Sequence, residues 1–115
     1  MSTSFPPFEV ERNSSPVDPA VRAEMLIDPG FGRVFTDHMV SVRYTEGTGW
    51  HDAKVTARGP LTLDPATAVF HYAQEIFEGL KAYKLADGSM ALFRPEANAA
   101  RFAKRSEERR VGKEC

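Results

Sequence analysis

From His38 to Tyr44 apolar and polar positions alternate, with Val40, Val42 and Tyr44 on one face and Ser41 and Arg43 on the other. That is the period of a half-buried strand. Glu46-Gly47-Thr48-Gly49 supplies a turn, and Ala53, Val55 and Ala57 then alternate with Lys54, Thr56 and Arg58 until Gly59-Pro60, which predicts a hairpin. After Asp64-Pro65, a dipeptide suited to a helix start, Ala66, Val69, Phe70 and Ala73 fall on one helical face. Beyond Gly79 the period returns to two: Leu80 and Ala82 oppose Lys81 and Tyr83, and Asp87-Gly88 turns the chain tightly into a strand over 90–93. Arg94-Pro95-Glu96 opens a last helix that is still running at Lys104. Ahead of all this, Pro6, Pro7 and Pro16 among serines predict an extended arm over 1–18 that docks elsewhere or stays mobile. Asp18-Pro19 predicts a short helix with Val21, Met25 and Leu26 as its stripe, ended by Asp28-Pro29-Gly30. The fold class is α+β, an antiparallel sheet covered by short helices.

Composition narrows the chemistry. At 115 residues the chain accommodates one small domain with its own core. A hydrophobic content of 42% and a formal net charge of −1 are those of an ordinary soluble protein and give no electrostatic case for nucleic acid or an anionic membrane. No apolar run approaches a membrane span, and Glu9 and Glu11 argue against a transit peptide, so the expected location is cytoplasmic. Cys115 is the only cysteine, and His38, His51 and His71 lack metal-ligand spacing, so no metal site is expected.

Residues 105–115 stand apart. Arg105-Ser106-Glu107-Glu108-Arg109-Arg110-Val111-Gly112-Lys113-Glu114-Cys115 has no apolar stripe. It matches, residue for residue, the conceptual translation of a common high-throughput sequencing adapter. The expectation is a reading frame that passes from a gene into adapter sequence near Lys104, so the basic residues of this tail signal neither nucleic-acid binding nor targeting.

The densest chemistry lies in His71-Tyr72-Ala73-Gln74-Glu75-Ile76-Phe77-Glu78-Gly79-Leu80-Lys81-Ala82-Tyr83, which reads as a helix end, a bend and the start of a strand. Taken with Phe31-Gly32, Thr36-Asp37-His38-Met39, Trp50, Pro60-Leu61, Asp87-Gly88, Phe93-Arg94-Pro95 and Asn98…Arg101, this stretch resembles the N-terminal domain of branched-chain amino acid aminotransferases. The ordered set runs from about Phe31 to Lys104. The resemblance implies a fold-type IV enzyme dependent on pyridoxal 5'-phosphate, exchanging the amino group of leucine, isoleucine or valine with 2-oxoglutarate, and a homodimer. It divides the chain into an arm with a short helix over 1–28, a partial small N-terminal domain over 29–104, and the tail. The Schiff-base lysine of the family belongs to a larger C-terminal domain, so no catalytic residue is expected here, and the chain by itself is expected to be inactive.

By the same resemblance Arg101 binds the cofactor phosphate, and the chemistry agrees: a guanidinium offers a planar fork of donors that stays charged. Tyr72 and Phe77 resemble the aromatic pair that walls the substrate side-chain pocket, with Phe31 and Phe35 against the same pocket. Tyr72 reaches the neighbouring subunit's site in the family. Gly79 is expected to permit a tight bend and a close approach to the ligand. Glu78 is expected to pair with a basic neighbour rather than act as a general base. Lys81 and Lys84 are read as charges on an exposed face, and His71 as a buried, hydrogen-bonded histidine. Two other readings stand beside this one: another enzyme of the same class, a D-amino acid transaminase or aminodeoxychorismate lyase, and a short non-enzymatic α+β binding module.

Overall fold

The computed structural model describes residues 7–111. The proline- and serine-rich start of the arm and the last residues of the tail, Cys115 among them, lie outside the described residues. The chain divides into two compact units, Met1–Leu61 and Thr62–Cys115.

The first unit is built on the predicted hairpin. In chain order it holds β1 (Glu9–Val10), α1 (Pro19–Met25), β2 (His38–Thr45) and β3 (Gly49–Ala57). β2 and β3 pair antiparallel from His38↔Ala57 to Thr45↔Gly49, around Gly47 and Gly49 at φ 84° and 83°. The register slips once: Ser41 faces Lys54 but Arg43 faces His51, so Asp52 and Ala53 together oppose Val42. This is a β-bulge, and Asp52 takes a left-handed φ of 51° within it. The extra residue has a consequence for packing. It places Trp50 on the same face as Val55 and Ala57, opposite Tyr44 and beside Val42 and Val40, which strict alternation would forbid. Tyr44 and Trp50 meet edge to face at 5.1 Å between ring centroids, a favoured aromatic geometry.

The arm was expected to dock elsewhere or stay mobile. Its described part docks on its own unit: β1 pairs parallel to β3 through Glu9↔Lys54 and Val10↔Val55, making a three-stranded mixed sheet in the order β1-β3-β2. Asn13 then donates its backbone N–H to Nε2 of His38 at 2.9 Å and its side-chain amide to the carbonyl of Asp37 at 3.1 Å. Val17 donates its N–H to the Asp37 carboxylate. An extended segment leaves its backbone amides free, and a sheet edge with two side-chain acceptors satisfies them. α1 starts as expected, with Asp18 accepting from the N–H of Ala20 ahead of Pro19.

The second unit holds α2 (Ala68–Tyr72), β4 (Ala82–Lys84), β5 (Met90–Leu92) and α3 (Pro95–Val111). β4 and β5 form the expected hairpin, but as a separate two-stranded sheet, so the described residues carry two sheets, one of them mixed, instead of one antiparallel sheet. Its turn is closed by Asp87, whose carboxylate accepts from both the N–H and the hydroxyl of Ser89. That pair of donors holds the Asp87 carboxyl below its ordinary value. α2 begins later than its apolar spacing suggested. Asp64 accepts from the N–H groups of Ala66 and Thr67 in a turn, so the local side-chain bond competes with the first helical turn and the helix starts at Ala68. α2 ends at Ala73, which sits in the left-handed region at φ 46°, ψ 44°.

Burial is sparse. Among the described residues Ala53, 4% exposed, is the only buried hydrophobic one, and neither α1 nor α2 buries a residue. The elements are therefore held chiefly by strand pairing and local capping. Ala73→Gly tests that local account. Alanine in the left-handed region carries a steric cost that glycine lacks. The substitution is expected to stabilise the chain by about 0.5–1 kcal/mol, read as a higher urea midpoint, and a lower midpoint would contradict it.

Candidate functional site

The functional stretch is shaped by two backbone events. α2 stops at Ala73, and from there to β4 the chain runs without regular structure. Pro95 then starts α3; the residue before a proline is kept out of the right-handed helical region, and Arg94 takes φ 46°. One turn into α3, Asn98 and Arg101 stand three residues apart, the spacing that puts two side chains on one face of a helix.

Those two residues meet the bend at Glu78. Arg101 donates from Nε to Glu78 Oε2 at 2.6 Å and from its NH2 nitrogen to Glu78 Oε1. The side-chain amide of Asn98 donates to the same Oε1 at 3.0 Å and to the carbonyl of Gly79 at 2.7 Å. The Glu78 carboxylate is covered, with a side-chain exposure of 8%, whereas Arg101 is 58% exposed. Glu78 thus pairs with a basic neighbour, as its sequence context suggested. The hydrogen bond from Arg101 outweighs burial and, helped by the one from Asn98, lowers the Glu78 carboxyl from 4.5 to about 2. The same bond raises the Arg101 guanidinium above its ordinary value.

A small cavity of about 200 Å³ opens beside this cluster, lined by Phe93, Arg94, Ala97, Asn98 and Arg101. Two of the five Arg101 donors are taken by Glu78, which leaves three. The cavity is thus walled by two guanidinium-bearing residues, and its chemistry is that of a small anion site.

The other sequence-derived positions distribute unevenly. Phe77 and Gly79 flank Glu78, the partner of Arg101, along the chain; neither lines the cavity, and Phe77 is 75% exposed. Gly79 is not at a positive φ, contrary to its expected role in a tight bend; it contributes a carbonyl instead, and Ala73 takes the left-handed turn. Tyr72 closes α2, exposed, and does not line the cavity. Phe31 belongs to the first unit and is 98% exposed; Phe35 there carries the Arg58 guanidinium 4.4 Å above its ring. His71 is hydrogen-bonded to the Pro65 carbonyl but exposed, not buried. Lys81 and Lys84 are exposed, with the Lys81 ammonium over the Tyr83 ring at 5.1 Å. Asn98 received no role from the sequence alone, although its spacing from Arg101 was the available signal.

A larger cavity, about 690 Å³, lies in the first unit against Val17, Met25, Leu26, Phe35 and His38. Of the polar residues that line it, Asp37 and His38 are spent on docking the arm and Thr36 donates its hydroxyl to the His38 carbonyl; Arg22 is the fourth. Among the described residues no group of His, Cys, Asp or Glu is placed to hold a metal ion, and no helix is long and apolar enough to cross a membrane.

The lowered Glu78 carboxyl fixes a pH dependence. A group whose folded value is depressed contributes stability above its unfolded value and loses it as pH falls through the folded one. The tie between bend and helix is therefore at full strength above pH 4.5 and is lost towards pH 2. Carboxyl carbon shifts should show Glu78 titrating at about 2 and returning to the ordinary range in Arg101→Met; an ordinary value in the unsubstituted chain would refute the pairing.

No family model matches the chain. Direct comparison is more informative. The chain is 56% identical over 107 residues to a probable branched-chain-amino-acid aminotransferase of Streptomyces coelicolor, covering 93% of this chain and 29% of that protein. It is 59% identical over 95 residues to the branched-chain-amino-acid aminotransferase of Mycolicibacterium smegmatis, covering 83% and 26%. The mitochondrial branched-chain-amino-acid aminotransferase of Saccharomyces cerevisiae is 41% identical over 97 residues, covering 84% and 24%. The chain spans about a quarter of the length of these curated relatives. Over the segment it shares with them, the chain is 53–59% identical to proteins named branched-chain-amino-acid aminotransferases or transaminases, and it matches 20–29% of their length.

Proposed function

We propose that this segment contributes the cofactor-phosphate anchor and part of the substrate wall to an enzyme that transfers the amino group of leucine, isoleucine or valine to 2-oxoglutarate. The observation that carries the reading is the identity of 53–59% to several proteins named for this activity. The cavity beside Arg101 supports it independently, because two arginines on the wall of a 200 Å³ recess suit a phosphate.

In this reading pyridoxal 5'-phosphate, when bound, supplies the electron sink that makes amino-group transfer possible. This chain's own residues do simpler work. Arg101 holds the phosphate by the donors that Glu78 leaves available. Phe77, exposed beside the bend, and Tyr72 offer apolar area to a branched aliphatic side chain, worth about 25 cal/mol per Å² buried. Gly79 completes that wall, and Tyr72 serves the neighbouring subunit of a homodimer. Neither Lys81 nor Lys84 carries the cofactor: both lie at the exposed β4 hairpin, away from the cavity lining. Residues 105–115, which continue α3 as far as Val111, are adapter-derived.

Donor preference separates this reading from the other enzymes of the class. Expressed with the complete gene, the protein should consume leucine, isoleucine and valine with 2-oxoglutarate; turnover of D-alanine in their place would overturn it. The 115-residue chain mixed with the cofactor should give no specific, stoichiometric absorbance of cofactor covalently linked to a lysine, and the appearance of one would show that the chain holds its own cofactor-bearing lysine.

A further inference from the structure

We infer that Glu78, braced by Asn98, is a positioning residue: it holds the Arg101 guanidinium side-on so that the opposite edge faces an incoming phosphate. The inference rests on the assignment of Arg101 to the phosphate in the proposed function.

A guanidinium is planar and has two edges that can hold an oxyanion by two parallel bonds, one formed by Nε–H with one terminal nitrogen and one formed by both terminal nitrogens. Glu78 takes the first edge, through Nε and one terminal nitrogen. The second edge, one N–H from each terminal nitrogen, is thereby left in a fixed plane. A free arginine on a helix has four rotatable bonds and must lose their freedom on binding; one held at its Nε edge has already lost it.

Two observations show that Glu78 is itself held and is not a passive counter-ion. Asn98 uses both of its amide N–H groups on this bend, one on Glu78 Oε1 and one on the Gly79 carbonyl, so the plane of the carboxylate is set from a third direction. The Glu78 side chain is 8% exposed while the arginine it holds is 58% exposed. The fixed partner lies inside and the presented one outside, which is how a supporting residue differs from an exposed surface ion pair. Charge does not argue against it. Glu78 neutralises one arginine, but Arg94 lines the same cavity and restores a net positive wall.

The test separates the phosphate from the rest of the cofactor. Pyridoxine 5'-phosphate and pyridoxine differ only in the phosphate, and neither carries the aldehyde that reacts with lysines. Their dissociation constants for the 115-residue chain are read from backbone amide shifts of residues 77–79 and 94–98, and their ratio isolates the phosphate. In the unsubstituted chain the phosphorylated ligand should bind more tightly. Glu78→Gln, which keeps the shape and removes the charge, should reduce that preference about tenfold while leaving the affinity for pyridoxine in place, and should expose the Arg101 Nε–H to solvent exchange. Arg101→Met should abolish the preference altogether. An unchanged preference in Arg101→Met, or none in the unsubstituted chain, overturns the assignment of Arg101 and this inference with it. Loss in Arg101→Met with an unchanged or increased preference in Glu78→Gln overturns the positioning role alone. Should Glu78→Gln lose the dispersed spectrum of the folded chain, Asn98→Ala reads the same ratio with both charges kept, and an unchanged ratio there overturns the brace.

Discussion

The Glu78–Arg101 pair is the contact on which the second unit's chemistry depends, because it joins a segment with no regular hydrogen-bonding pattern to a helix. Residues 73–81 make neither strand nor helix, so their conformation has to be imposed from outside. The imposition is made by three donors on one carboxylate and one on the adjoining carbonyl. A covered carboxylate with such donors stays ionised far below its usual range, and the guanidinium it holds stays charged. One ion pair thus sets the course of the bend and the orientation of the residue assigned to the phosphate.

Elsewhere the structure rests on local rules more than on a core. Ala53 is the only hydrophobic residue buried among those described, while Ile27, Phe31, Leu61, Tyr72, Phe77 and Phe93 each expose most of their surface. Large exposed apolar area is unusual on a self-sufficient domain and common where another surface docks. The matching relatives are about four times as long as the segment they share with this chain. The hairpins persist without a core because their turns and ladders are satisfied within a few residues of sequence, as Asp87 with Ser89 and Gly47 with Gly49 illustrate.

Several features of the site were legible before the fold was known, and each is of a kind that short-range chemistry carries. The pairing of Glu78 with a basic group was expected because the resemblance gives the proton-transfer role to a lysine, though not which cation Glu78 would meet. Arg101 stood out by its place in an ordered motif set. Asn98 stood in the same set but was given no role, since an asparagine three residues before an arginine has many ordinary uses and its partner lies twenty residues away. The expected buried His71 failed for a physical reason: its apolar surroundings in sequence are the exposed α2 face in the structure. Gly79 was expected to permit a tight bend, and the left-handed turn falls six residues earlier, on Ala73.

Sequence by itself determined the two hairpins, the capped start of α1, the opening of α3 at Pro95, the α+β class and the resemblance to the aminotransferases, because alternation, helix-start residues and ordered motifs act over a few positions and need no partner far away. Tertiary structure alone decided the parallel docking of β1 on β3, the bulge at Asp52 that brings Trp50 onto the Tyr44 face, the separation into two sheets, and the junction of Asn98 and Arg101 with Glu78. Each of these joins groups distant along the chain or turns on a one-residue slip in register, and neither leaves a period or a local signature for a sequence to display.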